Sequence, residues 1–173
     1  MKISLYMAIS ANGLISNARN APDWLSNEYG EGMMGIVQKK QAVIMGKNTY
    51  KILAPDYLPL KTTGTTVVFT NDVSATPPNP TVVYTNKQPE EIILMLEEKG
   101  HEEVVIIGGT ATISEFMKAN LVDEIYLIVE PVLFGSGLDL FKEPGGEHKL
   151  NLIEVMKLND NTVQLHYRVK KNS

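Results

Sequence analysis

The first apolar run, Ile3-Ser4-Leu5-Tyr6-Met7-Ala8-Ile9, reads as the first strand. Asn12-Gly13 then marks a turn, and a loop rich in Asn, Ala and Pro runs to Asp23. Residues Leu25 to Lys40 read as a helix whose middle is weakened by Gly30, Gly32 and Gly35. A short buried strand over Ala42 to Met45 ends at Gly46. Two further strands, Thr66 to Thr70 and Thr81 to Thr85, are separated by Pro77-Pro78-Asn79-Pro80.

Pro89 opens the clearest helix. It occupies a first-turn position, Glu90 and Glu91 suit the positive end of the helix dipole, and Ile92, Ile93 and Leu96 form the apolar face before Gly100. Val104 to Ile107 reads as a central strand, Gly108-Gly109 leads into a helix from Ala111 to Lys118, and Glu124 to Glu130 is another strand. Asn151 to Leu158 and Thr162 to Lys170 flank Asn159-Asp160-Asn161 and predict an antiparallel hairpin. Strands alternating with helices predict one α/β domain over residues 1–173, with a mostly parallel central sheet flanked by helices.

Composition narrows the chemistry. Sixteen basic and twenty acidic residues give a net charge of −4 with no basic stripe, which argues against nucleic acid as a partner. Cysteine is absent, so disulfides, thiol nucleophiles and cysteine-based metal sites are excluded. No apolar stretch is long enough to span a bilayer and the N-terminus lacks a clear cleavage site, so the expectation is a cytoplasmic protein without membrane contact. His101, His148 and His166 are scattered, without metal-ligand spacing. Nucleophile-elbow, P-loop and Gly-x-Gly-x-x-Gly motifs are missing.

What remains is a set of strand ends, where open α/β sheets bind ligands. Val43-Ile44-Met45-Gly46-Lys47-Asn48-Thr49-Tyr50 offers a glycine, a cation and hydroxyls where a helix begins. Val68-Phe69-Thr70-Asn71 ends in hydrogen-bonding side chains, and Ile106-Ile107-Gly108-Gly109-Thr110 has two glycines that let a phosphate approach the backbone. Each alone could be an ordinary strand–helix junction. Three together point to an extended phosphate-bearing cofactor.

Residues 43–50 and 107–109, with the β-rich opening, resemble the dihydrofolate reductase superfamily, and the Asp23-Trp24-Leu25 triplet looks more like one subgroup of it. With Glu130-Pro131-Val132-Leu133-Phe134-Gly135-Ser136-Gly137, the chain is most similar to the reductase domain of the bifunctional riboflavin-biosynthesis deaminase-reductase. The resemblance implies a dihydrofolate-reductase-like three-layer fold with a C-terminal antiparallel hairpin. It implies NADPH as cofactor and hydride transfer to a pteridine- or pyrimidine-type heterocycle, a small-molecule substrate. By the same resemblance, Lys47 would face the 2′-phosphate, with Gly46 and Thr49 at the pyrophosphate. Thr70 and Asn71 would lie along the adenosine half, Gly108, Gly109 and Thr110 would cradle the diphosphate, and Ile107 and Ala111 would also meet the cofactor. Ala8 and Ile15 would line the nicotinamide pocket. Glu28 would be the catalytic carboxylate, with Glu31 as its alternative, while Trp24, Tyr50 and Lys61 would meet the substrate. Trp24 could equally be core. No acidic residue lies in 43–50 to bind an unphosphorylated ribose. A divergent dihydrofolate reductase and a non-catalytic NADPH-binding module are the alternatives, and the hairpin's edge predicts a homodimer.

Overall fold

A computed structural model describes residues 1–54, 64–78, 80–143 and 146–171. Its strands are β1 (Lys2–Ser10), β2 (Leu14–Asn17), β3 (Ala42–Gly46), β4 (Thr65–Phe69), β5 (Val82–Thr85), β6 (Glu103–Ile106), β7 (Glu124–Glu130), β8 (Gly137–Asp139), β9 (Leu150–Lys157) and β10 (Val163–Val169). Its helices are α1 (Asn27–Lys40), α2 (Lys47–Leu53), α3 (Pro89–Glu98) and α4 (Thr110–Lys118). Eight strands form one sheet in the order β5-β4-β3-β6-β1-β7-β10-β9. The first six in that order are mutually parallel, and the β9–β10 hairpin adds antiparallel to β7. The predicted α/β architecture is what the chain adopts, hairpin included.

Side-chain alternation along the central strands builds two cores. Ile44, Val104 and Ile106 point to one face, where Ile92 and Leu96 of α3 and Phe116 of α4 cover them. Val43, Met45, Val105 and Ile107 point to the other, against Tyr29, Met33 and Val37 of α1 and Tyr50 of α2. Helix, sheet and helix therefore make three layers. The apolar runs were readable as strands because both faces of β3 and β6 are covered.

Helix starts follow their capping chemistry. Ser26 caps α1 by accepting the Tyr29 N–H, so that helix begins two residues later than the apolar pattern alone predicts. Pro89 starts α3 behind a capping box in which the Gln88 and Glu91 side chains satisfy each other's backbone amides. One element escapes the sequence reading: within the loop after β1, Leu14–Asn17 pairs antiparallel with Gly137–Asp139 as a separate two-stranded sheet. Strands of three and four residues carry too little apolar periodicity to announce themselves.

Candidate functional site

Because six strands run parallel, their carboxyl ends share one edge of the molecule, and that edge collects the polar segments singled out above. Gly46 N–H donates to the Gly108 carbonyl at 2.8 Å, which joins the end of β3 to the turn after β6. A Cβ at Gly46 would stand 3.0 Å from Thr112 Oγ1, and one at Gly108 would stand 3.2 Å from Met7 Sδ. The second position also has φ +114°, a region that favours glycine, and its neighbouring peptide Gly108–Gly109 is cis. Thr49 Oγ1 lies 3.4 Å from the same missing Cβ, so the hydroxyl faces bare backbone. These small residues leave a cradle that side chains would fill.

Around it stand the other predicted contacts. Thr70 follows β4, its Oγ1 accepts the Asp72 N–H at 3.2 Å, and Asn71 between them is exposed. Lys47 Nζ donates to Asp72 Oδ2 at 2.6 Å, which the reading of residues 43–50 alone did not anticipate. Thr110 Oγ1 is engaged with the Asp139 carbonyl in β8, and Ala111 is exposed on the first turn of α4. Ile107 is buried in the α1 face, Ala8 is buried at the end of β1, and Ile15 packs on the α3–α4 core.

A cleft of about 440 Å³ opens at the other end of this edge, bounded by Asp23, Trp24 and Leu25, by Glu130 and by the hairpin turn Asn159 to Thr162. Glu130 ends β7, pairs in register with Ser10 of β1, and is only 1% exposed. Its Oε1 accepts both Ser26 N–H at 3.0 Å and Ser26 Oγ at 2.7 Å, while Oε2 accepts Thr162 Oγ1 at 3.0 Å. One carboxylate thus joins the start of α1 to the hairpin turn. Trp24 meets Phe134 edge to face, with centroids 5.2 Å apart. Three strand spacings of about 4.8 Å separate β3, whose end leads into Lys47, from β7, so roughly 14 Å lies between the Lys47 end and this cleft.

Other predicted residues lie elsewhere. Glu28 does not line the cleft: its Oε2 accepts Asn159 Nδ2 at 3.0 Å, so it supports a cleft residue from behind. Tyr50 is buried in the α1–α2 core, its ring 6.0 Å from Tyr84. Glu31 is exposed on α1. Lys61 lies outside the described residues. Sequence reasoning missed Glu130 and the hairpin turn as cleft walls. The available signal was the phase of β7, where Tyr126, Ile128 and Glu130 share a face, which puts a carboxylate in a position otherwise reserved for core. Among the described residues no cluster of His, Asp and Glu could hold a metal, and no helix is long and apolar enough to cross a membrane.

Comparison with known proteins matches residues 1–164 to the RibD C-terminal domain family. The chain is 34% identical over 172 residues to the uncharacterized protein YwjB of Bacillus subtilis (strain 168), covering 96% of this chain and 97% of that one. A protein named for riboflavin biosynthesis from Shewanella sp. PV-4 superposes with a TM-score of 0.84 at 26% identity, covering 98% and 99% of the two chains. The deaminase/5-amino-6-(5-phosphoribosylamino)uracil reductase of Thermotoga maritima shares the fold, with a TM-score of 0.76 at 19% identity. This chain covers 56% of that longer protein.

Proposed function

From the premise that this chain belongs to the RibD C-terminal domain family, we propose that it is an NADPH-dependent reductase of a pyrimidine- or pteridine-type heterocycle. One observation carries the reading. A side-chain-free cradle flanked by a lysine and a cleft walled by a tryptophan lie on the same sheet edge, at a separation suited to an extended dinucleotide. The residues present fit such a cofactor. Gly46, Gly108 and Gly109 leave room for a diphosphate against backbone, Thr49 and Thr110 border it with hydroxyls, and Lys47 stands at the outer end with Thr70 and Asn71. The bound cofactor supplies the hydride. The chain's own part is to hold, orient and exclude water.

Trp24 offers an aromatic surface for a planar ring, and buried Ala8 near the cradle keeps the β1 end small and apolar. Glu130 fixes the cleft wall, because both of its oxygens are committed to Ser26 and Thr162. Glu28 holds the side-chain amide of Asn159, so its part is to position that cleft residue rather than to meet the substrate itself. The name of the Thermotoga maritima relative supports a phosphoribosylated aminouracil as the substrate class.

The test is oxidation of NADPH followed at 340 nm with the ribosylaminouracil phosphate and, separately, with dihydrofolate. Turnover of the first and not the second is the expected result. Turnover of dihydrofolate alone makes the chain a divergent dihydrofolate reductase. Tight NADPH binding without turnover of either identifies a binding module.

We further propose that the functional unit is a homodimer joined along β9. In that edge strand Leu150, Leu152, Ile153, Val155 and Met156 are all exposed. Leu152 and Val155 pair with Tyr167 and Leu165 of β10, so they extend an apolar face past the helices that cover the rest of it. An uncovered edge of this kind favours pairing with its own copy. Sedimentation equilibrium at micromolar concentration is expected to give twice the 19.2 kDa chain mass, and Val155→Glu is expected to give the single mass.

A further inference from the structure

Lys47 meets a competitor within its own chain. Its Nζ lies 2.6 Å from Asp72 Oδ2, and the other oxygen of that carboxylate accepts Ser74 Oγ at 2.9 Å. The Asp72 backbone is tied as well, through its N–H to Thr70 Oγ1. The carboxylate is thus restrained by its own loop whether or not Lys47 is present. Lys47 and Asp72 are 39% and 48% exposed, so an incoming anion can reach the pair.

We propose that Asp72 tempers cofactor choice by pairing with Lys47, so that a ribose 2′-phosphate must displace it and then lie beside it. The proposal rests on the dinucleotide reading of this edge. An exposed ion pair is weak, whereas a phosphate carries a charge of about −1.5 to −2 and accepts strongly from lysine. The phosphate therefore wins the lysine. It does so against the lost Lys47–Asp72 attraction and against repulsion from a carboxylate that Ser74 keeps from swinging away. An unphosphorylated ribose meets neither cost. The carboxylate narrows the gap between NADPH and NADH, although Lys47 by itself would widen it.

Dissociation constants for NADPH and NADH, read by reduced-cofactor fluorescence and independently by quenching of Trp24, test this without any substrate. Wild type is expected to favour NADPH by less than about tenfold. Asp72→Asn keeps the shape and the Ser74 contact but removes the charge. It is expected to widen the ratio by about tenfold through tighter NADPH, with NADH changed less than threefold. Ser74→Ala, which frees the carboxylate to turn away, is expected to move the ratio in the same direction by less. In a Lys47→Ala background the gain from Asp72→Asn is expected to shrink at least threefold. An unchanged ratio in Asp72→Asn, with NADPH still bound by wild type, overturns the role of Asp72 alone. Failure of wild type to bind either cofactor overturns the dinucleotide reading, and this inference with it.

Discussion

The side-chain amide of Asn12 closes on the backbone of Phe134 from both directions: Nδ2 donates to the carbonyl at 2.8 Å and Oδ1 accepts the N–H at 3.2 Å. Ser10 Oγ donates to the same Oδ1 at 2.8 Å, so the loop after β1 is latched to the loop after β7. Phe134 in turn supports Trp24.

That latch needs a donor and an acceptor on one side chain, which aspartate cannot supply when ionised. Asn12→Asp is expected to break the bond to the Phe134 carbonyl and loosen the Trp24–Phe134 contact. The cost to stability should be small, about 1 kcal/mol, since the site is exposed. Trp24 is the only tryptophan, so its emission reports the change directly as a red shift. An unaltered spectrum would mean that Phe134 is held by something else.

Glu130 is a different case because it is buried. Glu130→Ala leaves the Ser26 N–H without its acceptor and is expected to cost about 3 kcal/mol. Glu130→Gln should cost nearer 1 kcal/mol, because its carbonyl can keep both Ser26 bonds while the Thr162 hydroxyl rotates to accept from the new amide. Urea denaturation separates the two. Equal losses would place the stabilising effect in the charge rather than in the hydrogen-bond pattern.

Gly108 is required for conformation and for space. Its φ of +114° is rarely adopted by other residues, and a Cβ would press on Met7 Sδ and Thr49 Oγ1. Gly108→Ala is expected to lower stability by about 1–3 kcal/mol and to weaken NADPH binding by more than tenfold. Gly100→Ala, at φ +84° in open space away from the cradle, serves as the comparison: it should lower stability without touching cofactor affinity.

Alkaline pH probes the α1 face of the sheet. Burial, reinforced by nearby Glu130 for Tyr6 and by Glu124 for Tyr126, pushes each phenol up to about 12. An unfolded tyrosine loses its proton near pH 10, so the unfolded state deprotonates first as pH rises. The stability these phenols contribute is therefore intact below about pH 10 and is lost progressively toward pH 12. Urea midpoints at pH 9, 10 and 11 are expected to fall, and less steeply in Tyr6→Phe than in wild type. Parallel decline in both proteins would remove Tyr6 from the account.

Much of this architecture was legible because it is written locally. Pro89 with its acidic first turn, the doubly apolar β3 and β6, and the glycines after them each declare an element or a turn within a few residues. What was not legible depends on neighbours distant in sequence. Lys47 and Asp72 meet because β3 and β4 lie side by side in register, and no pattern within residues 43–50 contains that fact. Glu28 sits on the anticipated helix, yet its carboxylate turns to Asn159, a residue placed there only by the final hairpin. The 14–17 strand escaped notice for a third reason: it is only four residues long, and its partner, residues 137–139, is shorter still and fully exposed.

The β9–β10 hairpin has two ends with separate duties. Its outer strand carries the apolar edge, and its turn walls the cleft. The cradle is built entirely from the parallel half of the sheet and takes nothing from the hairpin. Insertions or substitutions at Asn159 to Asn161 can therefore reshape what the cleft admits without disturbing the cradle. The molecule is modular in an evolutionary sense: descendants of one ancestor could keep the cradle and diverge in the molecule they accept by rewriting a single turn.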